Sequence, residues 1–202
     1  MADRVPLDFD PPVRQLRAIL LGVADDDLTA PTPCPGWTVG ALLSHLMGLS
    51  YAFAAAARKS DDAPGVSCPP PEPSAADLPT HWRSRLPVLL AELETAWRDP
   101  AAWTGTATAG GVTMPAADMG VVAMNEVVLH GWDLAQATGQ EFFTDPRILD
   151  TLLEFLSQGP PEGTPGMFGP PVEAHDEATR LEQVVARAGR DPQWRRHGRR
   201  RR

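Results

Sequence analysis

Cysteine occurs only twice in this 202-residue chain and lysine only once, as Lys59. Cys34 and Cys68 are far apart and outside any CxxC spacing, which argues against a disulfide framework and against a thiolate zinc site. Both are expected to be reduced thiols. No uninterrupted apolar run approaches the roughly 20 residues of a bilayer-spanning helix. The opening MADRVPLDFDPP has acids and prolines where a secretory signal has a basic and then an apolar stretch. The expectation is therefore a cytoplasmic protein with no membrane partner. GxSxG, a Cys-His couple, a P-loop and a dinucleotide fingerprint are also missing, so any catalysis must be metal-centred.

What is present is enough for one domain of ordinary size, with 43% apolar residues to build its core. Acidic residues number 26 against 18 basic ones. Six of those 18 are arginines in the last eight positions, so 12 basic residues face 26 acidic ones in the body, a charge of about −14. Such a body repels nucleic acid. The RRHGRRRR stretch lacks aromatic interleaving and periodicity, and residues 195–202 are expected to form a disordered tail behind a single domain at 1–194.

Helical periodicity dominates the rest. Asp10 and Pro11 read as the start of a first helix running to about Asp27. Thr38 reads as the cap of a second, striped by Val39, Leu42, Leu43, Leu46, Leu49 and Phe53. From Lys59 to Pro79, six prolines make a long extended connection suited to a crossover. A third helix carries Trp82, Leu86, Leu89, Leu90, Leu93 and Trp97, with Pro87 either kinking it or marking its start near Ser84. WTGTATAGGVTM reads as a short hairpin or an irregular loop. A fourth helix spans about Pro115 to Thr138 and ends at Gly139. Asp145-Pro146 opens a fifth, and Asp176 is expected to cap a last helix ending at Gly189. The resulting fold class is all-α, a helical bundle.

The fourth helix carries the chemistry. MGVVAMNEVVLHGWDLA is apolar almost all round and has no Lys or Arg for its acids, so Glu126 needs a cation or a proton once buried. Four residues separate Glu126 from His130, which puts both on one face. Such a pair by itself is as consistent with an ion pair as with a metal site. His45 changes the balance, because it is the one other histidine inside a strongly apolar helix. Two histidines and a carboxylate from facing helices form a ligand set that leaves positions open for water or substrate. That set suits zinc, nickel, iron or manganese. Asp133 reads either as an orienting partner for a ligand histidine or as a polar residue near a helix end. Trp37 and Trp132 read either as packing residues, the commoner case, or as substrate platforms, and His81, His175 and His197 read as surface residues.

TPCPGWTVGALLSHL, EVVLHGWDLAQATGQ and MFGPPVEAHDEATRLEQVVARAGRDPQW together resemble the mycothiol-dependent maleylpyruvate isomerase N-terminal domain family of the DinB-like superfamily. The resemblance implies a DinB-like four-helix bundle with a long crossover connection and additional C-terminal helices. It also implies a divalent metal, commonly zinc, on His45, Glu126 and His130. Members of known activity use the metal to activate the thiolate of mycothiol, bacillithiol or glutathione against an electrophilic substrate. The isomerase has a separate C-terminal domain that contributes to its active site. The expectation here is thus a metal-dependent thiol S-transferase-like protein, with a metal-bound water or thiolate as the reactive group, rather than maleylpyruvate isomerisation itself. The alternative is a non-catalytic metal or small-ligand binding module of the same fold. A homodimer is compatible with either.

Overall fold

The computed structural model describes residues 6–63, 66–164 and 168–196. Among them are six α-helices: α1 (Asp10–Leu21), α2 (Val39–Ala57), α3 (Trp82–Trp97), α4 (Ala116–Thr138), α5 (Pro146–Ser157) and α6 (Arg180–Arg187). An antiparallel hairpin, β1 (Thr106–Ala109) and β2 (Val112–Pro115), leads straight into α4. The all-α expectation is corrected to a mostly helical fold with this one hairpin. Gly110 and Gly111 both have positive φ and supply its two-residue turn. The hairpin tip is tied to the proline-rich connection by the Gly111 N–H donating to the Val66 carbonyl.

The helix ends follow local chemistry. Thr38 caps α2 by accepting from the Ala41 N–H. Gly139 closes α4 in the left-handed conformation at φ 70°, and Asp145 caps α5 through the Arg147 N–H. Two boundaries differ from expectation. The first helix stops at Leu21, and Asp25–Asp27 form a separate 3-10 turn because the Asp27 carboxylate accepts the Ala24 N–H and tightens the chain there. The last helix starts at Arg180 rather than after Asp176. Thr179 and Glu182 form a reciprocal capping box that satisfies two free N–H groups at once, which Asp176 cannot do. Pro87 lies inside α3 and marks neither its start nor its end.

Helices α1 and α2 each pack on α3 and α4. At one end Arg58 donates to the Glu92 carbonyl and Lys59 to that of Ala102, so the C-terminal ends of α2 and α3 are adjacent. At the other end Gly40 abuts Ala75, seven residues before α3 begins. The proline-rich connection therefore runs back along α2, and α3 lies parallel to it. Contrary to the sequence expectation, α2 is long and apolar enough to cross a membrane by length and composition. Within this fold 67% of its apolar window is buried, as in a core helix.

Helix α4 is the centre of the molecule, with 19 of its 23 residues buried. Its glycines allow that enclosure: a Cβ at Gly120 would lie 2.5 Å from the Trp103 ring, and one at Gly131 2.5 Å from Phe142. Helices α5 and α6 pack on each other, and α5 also on α4.

Candidate metal centre

Three donor side chains from α2 and α4 meet at one point. The Glu126 Oε2 lies 3.1 Å from the His130 Nε2 and 3.4 Å from the His45 Nε2. The two imidazoles stand nearly perpendicular, with ring centroids 4.9 Å apart. Helical spacing places Glu126 beside His130. Only the packing of α2 on α4 brings in His45. His130 is buried at 4% exposure, while His45 and Glu126 are partly open, so the cluster has a sealed side and a side facing solvent.

The cluster is built around an anion. Burial pushes the Glu126 carboxyl up, yet the hydrogen bonds and charges of His130 and His45 outweigh that effect and hold it well below the usual carboxylate range. Burial likewise disfavours protonated His130, but hydrogen bonds to Asp133 and Glu126 and their two charges raise it above an ordinary histidine. Glu126 is therefore an anion facing two imidazoles, and either a protonated His130 or a bound cation balances its charge. The His45, Glu126 and His130 donor atoms all lie within 4.8 Å of one another. Ligand atoms about 2.0–2.1 Å from a tetrahedral zinc ion are about 3.3 Å apart, close to the two distances measured from Glu126. The residues present fit a divalent ion.

Asp133 resolves the choice the sequence left open. Its Oδ2 lies 2.9 Å from the His130 Nδ1, which leaves Nε2 to face the cluster. The same oxygen lies 3.3 Å from Nη2 of Arg190, a residue sequence reasoning did not single out. Cys34, His130 and Asp133 form a second group of mutually close donor atoms. Arg190 already supplies a cation to it, lying against both Asp133 and the Cys34 sulfur, so this group is the poorer metal site. Burial, and then the Asp133 charge, push the Cys34 thiol up to about 12. At pH 8 roughly one molecule in 10⁴ then carries the reactive thiolate. Native protein treated with iodoacetamide at that pH should be alkylated at exposed Cys68 and spared at Cys34, as read by peptide mass spectrometry. Equal labelling of both would contradict the shielding described here.

Trp37 forms one wall of the site. It stacks on His130 at 5.6 Å with 22° between planes and meets His45 edge-on at 4.9 Å. The turn before α2 holds it there: the Thr32 N–H donates to the Trp37 carbonyl, the Cys34 N–H to Thr32 Oγ1, and Gly36 takes φ 81°. TPCPGW was legible as a rigid turn, but the direction of its tryptophan was not. His81 and His175 are exposed and belong to neither group of close donor atoms, and His197 lies outside the described residues. A separate cavity of about 380 Å³, with Met114, Asp118, Val122, Phe155, Phe168 and Arg187 in its wall, has no histidine or cysteine among the described residues that line it.

Residues 9–135 match the model of the mycothiol maleylpyruvate isomerase N-terminal domain. The chain belongs to that family. Two solved structures resemble this one: the mycothiol-dependent maleylpyruvate isomerase, at 22% identity and TM-score 0.57, and a histidine-to-alanine mutant of that enzyme, at 23% and 0.55. Each likeness covers 73% of this chain and 65% of the other, so the chain spans just under two thirds of the isomerase. No curated protein sequence matches it. The segment matched to the maleylpyruvate isomerase N-terminal domain family contains His45, Glu126, His130, Asp133 and Trp37, but not Arg190.

Proposed function

We propose that this chain is a divalent-metal protein that uses a low-molecular-weight thiol, mycothiol in the first instance, in a transferase-type reaction on a small electrophile. The observation that carries the reading is the shared Glu126 oxygen, within 3.4 Å of both histidine Nε2 atoms. Family membership supports the thiol. His45, Glu126 and His130 would hold the ion, with zinc the first choice and nickel, iron or manganese suited to the same donors. A divalent ion there lowers the pKa of a bound thiol and so supplies a nucleophile at neutral pH. The chain's own part is positional. Asp133 fixes the His130 ring, Trp37 covers both imidazoles, and the three donors leave a side open for an incoming sulfur.

The fold reading that accompanies this is a DinB-like four-helix bundle of α1 to α4 with the long crossover between α2 and α3. Isomerisation of maleylpyruvate is not carried over, since the likeness spans only part of that enzyme. The test is a titration of cobalt-substituted protein with mycothiol and with simpler thiols. A thiolate-to-cobalt charge-transfer band that saturates with thiol, and is absent in the His45→Ala variant, is the expected result. A cobalt spectrum unmoved by millimolar thiol would overturn the thiol reading.

A further inference from the structure

The C-terminal segment reaches the metal centre through one side chain. Helix α6 ends at Arg187, and Gly189 then takes φ 82°. The Gly189 N–H donates to the Ala186 carbonyl and the Arg190 N–H to that of Val185, a paired C-terminal closure that sets the direction in which Arg190 leaves the helix. A Cβ at Gly189 would lie 2.8–2.9 Å from the backbone of Gly169, so only glycine fits both the dihedral and the space. Arg190 is turned inward, with 7% exposure, and its Nη1 donates to the Ala188 carbonyl. Its Nη2 donates to the Oδ2 of Asp133, which is fully buried. Asp133 therefore holds the His130 Nδ1 and the Arg190 guanidinium with one oxygen.

We infer that Arg190 is a positioning residue of the metal centre, acting through Asp133 to hold the His130 ring with its Nε2 toward Glu126 and His45. The inference rests on the metal reading above. It is supported by the burial of Asp133, because a carboxylate without solvent needs a compensating cation and a neutral, metal-bound His130 does not supply one. Arg190 is the charged side chain that supplies one, and it does so beside the ligand histidine. Two neighbouring residues secure the same segment: Arg196 donates to Asp27 and to the Ala137 carbonyl, and Arg195 to Gln136. These contacts hold the chain after α6 against the C-terminal half of α4. Residues 197–202 of the expected tail lie outside the described residues.

The experiment is a double-mutant cycle in the full chain, read as zinc affinity by competition with a chromophoric chelator, with folding checked by circular dichroism. Arg190→Gln and Asp133→Asn are each expected to weaken zinc binding by about 10- to 100-fold, the range for partners of metal-bound histidines. The double variant is expected to bind no more weakly than Asp133→Asn alone, since Arg190 acts through that carboxylate. Arg190→Lys keeps the charge without the planar fork and should recover much of the affinity. It also keeps the test open if the glutamine variant does not fold. A purely structural arginine predicts wild-type affinity in every variant that folds, or losses that simply add, and either result overturns the inference. The His45→Ala variant separates the two failures: if it too retains wild-type zinc affinity, the metal reading has failed, whatever the Arg190 variants show.

Discussion

Glu126→Gln, His130→Ala and His45→Ala should each empty the ion site, with zinc affinity falling by more than the roughly 100-fold typical of changes outside the ligand set. Glu126 is the most sensitive position, because it provides the anionic donor and its Oε2 faces both histidines. Its glutamine variant keeps the shape and removes the charge, so the loss reads the electrostatics directly. The same variants should lose metal-linked stability. Zinc at 100 times its Kd should stabilise the wild type by about 2.7 kcal/mol, or roughly 5–10 °C in Tm for a domain of this size. The variants should show almost none of that gain. The metal-free protein has its own pH dependence. The depressed Glu126 contributes stability that is present above the ordinary carboxylate range and lost as pH falls through its folded value. The raised His130 contributes stability below the ordinary histidine value that is lost as pH rises through its own folded value. Zinc must displace a proton from His130, so its apparent affinity should rise with pH. Elemental analysis showing near-stoichiometric metal in all three variants would remove the proposed site.

The second large effect is on folding. Asp133→Leu leaves the Arg190 guanidinium buried with no carboxylate against it, and breaking a buried pair in this way costs about 3–5 kcal/mol. At roughly 2–4 °C per kcal/mol the Tm should fall by about 6–20 °C. Removing both charges is a different experiment. In Asp133→Leu combined with Arg190→Met no uncompensated ion remains, and apolar replacements of a buried pair are often neutral or better. Thermal unfolding of the two variants without metal should show a large loss in the single and a substantial recovery in the double. A single variant within 1 kcal/mol of wild type would show that Arg190 finds water or another acceptor once Asp133 is gone.

Both predictions turn on contacts of different legibility. The Glu126–His130 relation is a helical i,i+4 pair, and any reading of a 3.6-residue period finds it. Asp133 sits three residues after His130, so its hydrogen bond was one of two readings the spacing allowed. Arg190 is 57 residues from Asp133 in the chain and lies in a segment whose local pattern marks a helix end without pointing to Asp133. Its glycine was recognisable, but the direction of the following side chain depends on Gly169 passing within van der Waals reach of Gly189. Trp37 is a similar case, since the turn that aims it is local and the two imidazoles it covers come from different helices. The misplaced starts and ends of α1 and α6 have a smaller cause. Several Asp and Thr residues compete to cap, and a two-sided hydrogen-bond pair such as Thr179–Glu182 prevails over a single one.

By itself the sequence determined the helices, most of their caps, the burial of α4 and the face on which Glu126 and His130 stand, because these depend on interactions within one or two helical turns. The tertiary structure alone decided that His45 comes within 3.4 Å of the Glu126 carboxylate, that Trp37 covers both rings, and that Arg190 supplies the charge Asp133 lacks. Those contacts join residues far apart in the chain. They are fixed by how helix faces and loop closures pack, which no local periodicity encodes.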